Sequence, residues 1–305
     1  MSIKDIVLHQ GPDSRSEARL DLAAALAKAH GARVVGVFMK VDPADAEYWW
    51  MASGKQAVAG WLADLERIGG EAEASFDKRI TEAGLEGEWR VMAGNPTEAL
   101  MACARHGDLT VIGQADPDEP AYDSSLPDQL VLGAGGPVLV VPYAGRFETI
   151  GRRVMVAWNC AREAARALRD AMPILERAGT VTVYSVDPAD EGRHAGADIC
   201  AHLARHGVRA KASQVVLGPE AEAVSSGLQT VGGFGFQERG PWTQTRRPPV
   251  GKPDAGNALL SAVTDAGVDL LVMGAYGQSR LRELALGGTT REILRTMTVP
   301  VLMSN

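Results

Sequence analysis

Cysteine and aromatic side chains are scarce in this chain, and several functional classes fall away with them. Three cysteines, Cys103, Cys160 and Cys200, stand far apart in 305 residues with no CxxC spacing, so neither a disulfide framework nor a zinc knuckle is supported. No apolar run approaches the roughly 20 residues that a membrane-spanning helix needs. The N-terminal Met1-Ser2-Ile3-Lys4-Asp5-Ile6-Val7 has no basic segment, apolar stretch and cleavage site in series, which makes the cytoplasm the expected address. Basic charge is also in deficit. A formal charge of −7 argues against a general nucleic-acid binder, whose phosphate contacts need a surplus of Lys and Arg on one face. His202 and His206 have the i, i+4 spacing of a helical metal pair, but no third ligand accompanies them, and surface helix positions are the simpler reading.

What the chain does have is alternation. Short β-branched runs alternate with longer helical stretches, the pattern of βαβ units and a parallel sheet. In the first half strands are expected at Asp5–His9, Arg33–Met39, Trp89–Met92, Leu109–Gly113 and Val138–Val141, with helices at Ser16–His30 and Ala46–Ala83. The first of these helices should end at Gly31, and the second should break near Gly69-Gly70. The second half repeats the order, with strands at Arg153–Trp158, Thr180–Val186, Ala210–Val216, Asp269–Gly274 and Val299–Met303. Its helices are expected at Ala161–Arg177, Gly192–His206, Ala255–Ala266 and Thr290–Met297.

Leu109-Thr-Val-Ile-Gly113 matches Leu270-Leu-Val-Met-Gly274, and Pro137-Val-Leu-Val-Val141 matches Val299-Pro-Val-Leu-Met303. The chain therefore reads as an internal duplication, with one α/β domain over 1–144, a linker near Tyr143–Gly151 and a second domain over 151–305. Each is expected to be a doubly wound, five-stranded parallel sheet, Rossmann-like, with its ligand site after the first and fourth strands. The stretch Gly218–Pro253 holds seven glycines and five prolines and is too long for a βα connection. It reads as a mobile insertion, with Phe234, Phe236 and Trp242 as elements of a lid, of a partner surface or simply of a tether.

One segment carries chemistry. Met273 and Gly274 end the fourth strand of the second half, Gly277 follows, and Gly287-Gly288-Thr289-Thr290-Arg-Glu292 leads into a helix. Glycines there let the backbone approach a sugar or phosphate. Thr289 and Glu292 have capping-box spacing, placing a helix N-terminus and its free N–H groups just after the glycines, ready for an anion. The first half has no such cradle: Asp116, Asp118, Glu119, Asp123 and Asp128 crowd the corresponding stretch and would oppose a polyphosphate. That half reads as a packing and dimerisation partner, with a small ligand under Tyr48, Trp49, Trp50 and Trp61 as an alternative to their burial in core or interface.

The spacing Gly274-x2-Gly277-x9-Gly287 resembles the nucleotide loop of the universal stress protein family, and the resemblance extends over both halves outside the insertion. It implies a stress-response module binding ATP or AMP, with magnesium as an optional companion ion, and an internal pseudo-dimer joined through Val138–Val141 and Val299–Met303. A homodimer and a further protein partner are compatible with it. The family places Ser or Thr directly after the last glycine, where this chain has Gly288 and then Thr289. The acidic residue at the end of the first strand is replaced by Asn159, whose other expected role is to cap the helix that starts at Ala161. Val186, at the end of the second strand, corresponds to the backbone position that reads adenine. Arg280 and Arg282 are candidates for phosphate contact, and Cys160 is either a thiol at a helix N-terminus or a simple replacement of a small residue. No nucleophile, acid/base pair or dedicated magnesium carboxylate stands beside the glycines, so an enzyme would be at most a slow ATP hydrolase or an adenylyl-transfer catalyst. A ligand-free interaction protein is the third reading.

Overall fold

A computed structural model of the chain describes residues 2–40, 55–118, 125–186, 196–217, 242–244, 255–277 and 288–305. It separates into two compact units, Met1–Ile150 with Thr298–Asn305, and Gly151–Met297. The first unit runs β1 (Asp5–Gln10), α1 (Ser16–His30), β2 (Arg33–Lys40), α2 (Lys55–Ala83), β3 (Gly87–Ala93), α3 (Pro96–Ala104), β4 (Leu109–Gly113), α4 (Leu126–Gly133) and β5 (Val138–Val141). In the second are β6 (Arg153–Ala157), α5 (Arg162–Asp170), α6 (Met172–Leu175), β7 (Thr180–Val186), α7 (Ala197–Arg205), β8 (Ala210–Val215), β9 (Trp242–Gln244), α8 (Ala255–Asp265), β10 (Leu270–Gly274) and α9 (Thr289–Thr296). The last strand, β11 (Val301–Ser304), belongs with the first unit.

In the first unit the strand order is β3-β2-β1-β4-β5-β11. The first five strands are parallel, and β11 pairs antiparallel with β5, Val301 opposite Val140 and Met303 opposite Val138. The second unit orders β10-β6-β7-β8-β9, all parallel. Both are doubly wound, and in each the order reverses between the first strand and the fourth, at β1/β4 and β6/β10. The division at 144/151 expected from the repeat differs from the compact units in one element. Residues 298–305 complete the sequence repeat of the second half but hydrogen-bond to β5, so packing assigns them to the first unit.

The duplication is visible in single hydrogen bonds. Asp108, just before β4, accepts the backbone N–H groups of Lys4 and Asp5 at 2.7 and 3.0 Å. Asp269, just before β10, accepts those of Gly151, Arg152 and Arg153 at 2.9 to 3.1 Å. The same carboxylate device ties the start of the first strand to the fourth in each unit. The central strands are buried on both faces: Ile6, Val7 and Leu8 on β1, Val154, Met155 and Val156 on β6, and Leu270, Leu271 and Val272 on β10, as helices covering both sides of a parallel sheet require.

Three sequence expectations are corrected. The α2 helix passes through Gly69-Gly70 unbroken. A Cβ at Gly69 would come within 2.8 Å of the Phe38 ring, so this glycine seats the helix on β2 rather than ending it. The single helix expected over Ala161–Arg177 is divided at Ala171, because Pro173 has no N–H for the carbonyl of Arg169 and its ring crowds that carbonyl. Within the expected insertion, Trp242–Gln244 forms β9 beside β8, Ala212 opposite Trp242. The rest of that insertion, with Phe234 and Phe236, and also Tyr48, Trp49 and Trp50, lies outside the described residues. Helix α1 ends as expected at Gly31, whose left-handed φ of 62° lets its N–H return to the carbonyl of Ala27.

Candidate functional site

At the carboxyl end of β6 the Trp158 N–H donates to the Tyr184 carbonyl at 2.8 Å, holding the turn to β7. Asn159 Oδ1 accepts the N–H of Ala161 at 3.0 Å, an Asx turn that feeds the chain into α5. Asn159 therefore does not cap the helix as expected: the N-cap is Ala161, and no side chain caps α5. Between them Cys160 is exposed and has φ of 60°.

The β10 strand ends at Gly274 against the first turn of α5. A Cβ there would overlap the backbone at Ala164 N and Glu163 C and come within 2.8 Å of Glu163 Cβ. Gly274 is required for helix–strand contact, a packing role beside the ligand approach expected of it. Gly277 has neither a left-handed φ nor a tight contact; its nearest neighbour to a built Cβ is Glu163 Oε2 at 3.4 Å. The left-handed residue of this loop is Tyr276, with φ of 51°. Cys160 and Tyr276 are the two non-glycine residues with positive φ among the described residues, and both lie at this end of the sheet. Such backbone costs about 1–2 kcal/mol per residue and concentrates where a site over-determines it.

Tyr276 donates its N–H to Thr290 Oγ1 at 3.2 Å. Thr290 is buried, and this bond brings the start of the loop to the first turn of α9. The helix begins one residue earlier than the capping-box spacing predicts. Gly288 is the N-cap, with φ −58° and ψ 162°, no side chain caps the helix, and the first intrahelical bond runs from Glu292 N to Gly288 O. Thr289 is therefore the first helical residue rather than the cap, and the N–H groups of Thr289, Thr290 and Arg291 precede any intrahelical partner. Met273 is buried within β10, leaving its backbone as the part that could face a ligand. Val186 ends β7 half-buried, opposite Val215. Gly287, Arg280 and Arg282 lie outside the described residues.

Two residues that the sequence did not single out belong to this constellation. One is Thr290, whose hydroxyl accepts the Tyr276 N–H, while the capping role expected of Thr289 is filled by no side chain. The other is Glu163 in the first turn of α5, 3% exposed. Its Oε1 accepts from Arg162 Nε at 3.1 Å and Nη2 at 2.9 Å, while its buried Oε2 has no hydrogen-bond partner among the described residues. In sequence it looks like any first-turn acidic residue, favoured by the helix dipole.

The corresponding place in the first unit is occupied differently. A Cβ at Gly113 would meet Arg19 Nη1 at 2.6 Å. Arg19 is buried and pairs with both oxygens of Asp13 at 2.6 Å. Burial alone would raise the Asp13 carboxyl, but the hydrogen bonds and charge of Arg19 outweigh it and hold the group below its ordinary value. Nearby, His9 is held down to about 4, first by removal from water and then by the Arg19 charge. Gln114 follows Gly113 and accepts the Tyr143 N–H at 3.2 Å, and α4 carries Asp128 in its first turn, so the helix end that would receive an anion already has one. Glu119 and Asp123 lie outside the described residues. The rings of His202 on α7 and of its C-cap His206 stand 4.7 Å apart, and no group of three metal-ligating side chains occurs among the described residues. No helix among them is long and apolar enough to cross a membrane.

Doubly wound parallel sheets, with the loop after β10 bonded to the first turn of α9 in the second unit, place the chain among open-sheet α/β proteins. The model of the universal stress protein family matches residues 151–305, and the chain belongs to that family. Universal stress protein Slr1230 of Synechocystis is 46% identical over 48 residues, 16% of this chain and 17% of that protein. Universal stress protein MJ0577 of Methanocaldococcus jannaschii is 33% identical over 45 residues, 15% of this chain and 28% of that protein. The matches thus span less than a third of either relative. Among solved structures, a universal stress protein from Archaeoglobus fulgidus aligns over 100% of this chain and 97% of its own, with TM-score 0.69 and 15% identity. A Pseudomonas aeruginosa structure titled a putative universal stress protein covers 99% and 93%, with TM-score 0.53 and 16% identity. At these identities the likeness is one of fold.

Proposed function

We propose that the second unit is a nucleotide-binding regulatory module of the stress response, taking ATP or AMP between the ends of β6 and β10 and the first turn of α9. The observation that carries this reading is the Tyr276 N–H to Thr290 Oγ1 bond, which draws the glycine loop to a helix N-terminus whose free N–H groups suit a phosphate. Met273, Gly274, Gly277, Gly287, Gly288 and Thr289 supply backbone, Val186 the adenine edge, and magnesium accompanies a polyphosphate. A cytoplasmic address, and a first unit serving as the packing partner, belong to the same reading.

Denaturing the purified protein and identifying any released nucleotide by mass spectrometry, followed by calorimetric titration of ATP and AMP with magnesium, tests it. One nucleotide per chain without turnover is the expected result, and turnover would move the protein to the slow-hydrolase reading. Gly277→Ala, whose Cβ meets only ordinary contact at 3.4 Å, should leave the melting temperature unchanged, and Gly277→Leu should lower affinity by at least about tenfold. Unchanged affinity in the Gly277→Leu variant would refute the site assignment. A specific observation favours the rival, a ligand-free interaction protein: Asn159 Oδ1 is engaged by Ala161 N, and no nucleotide or heat would support that reading.

A further inference from the structure

Resting on the nucleotide reading, we infer that Glu163 sets the charge selectivity of the second site, admitting nucleotide phosphates only when a divalent cation accompanies them. Glu163 lies behind the loop. Gly274 rests on its backbone, and its Oε2 is the nearest atom to the side-chain position at Gly277. The carboxylate is buried to 3% exposure, and one oxygen has no donor among the described residues. The cation that engages the other oxygen, Arg162, is 81% exposed, so water screens it while the carboxylate itself sits in low dielectric.

An anion drawn to Gly277 and to the first turn of α9 therefore meets two opposed fields. Helix N–H groups attract it, and the buried negative charge beneath the loop repels it. For two unit charges about 8 Å apart at an effective dielectric of about 20, the repulsion exceeds a tenfold change in affinity, and it grows with each phosphate charge. A divalent cation removes it, by neutralising phosphate charge and by offering the carboxylate an opposite charge in turn. The first unit has no such requirement to impose, since the group under Gly113 is a cation already paired with Asp13.

Calorimetry of adenosine, AMP and ATP, each with magnesium and with a chelator in its place, on the wild-type chain and on Glu163→Gln tests the inference. Without metal the wild type should bind ATP more weakly than adenosine, and magnesium should restore ATP affinity at least about tenfold. The Glu163→Gln chain should bind metal-free ATP at least about tenfold more tightly than wild type, with adenosine unchanged. Binding of ATP by the variant alone would support the inference most directly. Equal metal-free ATP affinity in both chains overturns it while leaving the nucleotide site standing; no binding of any of the three to either chain overturns both. The wild-type series decides independently of how well the variant folds, because metal-free ATP binding more tightly than adenosine would by itself overturn the requirement for a divalent cation.

Discussion

Where the fourth strand of each unit meets the first helix, the two halves of this protein bury opposite charges. Under Gly113 lies Arg19, closed into a bidentate pair with Asp13. Under Gly274 lies Glu163, with one oxygen tied to an exposed arginine and the other without a hydrogen-bond partner among the described residues. The surrounding frame is shared down to the aspartate that staples the first strand to the fourth. What separates the halves is therefore whether the polar groups at the switch point are already satisfied. A closed ion pair is a structural element, whereas a buried carboxylate oxygen without a donor costs stability unless something arrives to meet it. The two units share their scaffold and differ in whether the described polar groups at the switch point are paired.

The two glycines offer the largest way to break this comparison. Gly274→Ala drives a Cβ into the backbone of α5, which must shift, and a loss of about 3 kcal/mol or more is expected in urea unfolding. Gly113→Ala meets the tip of Arg19, a side chain able to yield, and should lose nearer about 1 kcal/mol. Equal losses would show that the two helix–strand contacts are alike. The next test is acidification. With a folded value of about 4 against an ordinary 6.5, His9 takes up its proton more readily when unfolded. Its contribution to stability is full above pH 6.5 and is lost as pH falls toward 4, on the order of 3 kcal/mol at most. Asp13, whose carboxyl is held below its ordinary value, adds its loss only at lower pH. His9→Gln should flatten the slope between pH 6.5 and 4, and an unchanged slope would remove His9 as its source. The smallest effect sharpens the contrast in backbone strain. Cys160→Gly and Tyr276→Gly should each stabilise the chain by about 0.5–1 kcal/mol by relieving a left-handed residue, measured as a rise in melting temperature. A fall would mean that these side chains hold more than the strain costs.

Much of the fold was legible because it is written in short-range pattern. The β-branched runs located the strands within a residue or two at most ends, and Leu109–Gly113, Val138–Val141 and Thr180–Val186 agree in full. Misreadings occurred where two physical uses share one residue type. Gly69 was read as a helix breaker and proves to be a contact with Phe38, while Pro173, which does divide a helix, was passed over inside a run of good helix formers. At the site, the position of the helix start was legible to within one residue. Which threonine serves the loop was not, since Thr289 and Thr290 are adjacent and only the turn geometry selects the second.

The sequence by itself determined the duplication, the parallel α/β class, the β6/β10 location of the candidate site and the absence of a glycine cradle in the first half, because periodicity, spacing and composition act locally along the chain. The tertiary structure decided that β11 completes the first unit, that Gly274 serves packing, that left-handed backbone falls on Cys160 and Tyr276, and that Glu163 lies buried beneath the loop. Those facts depend on which atoms meet after the sheet closes, across separations of more than a hundred residues. A carboxylate in the first turn of a helix looks the same in sequence whether water or a glycine loop comes to cover it.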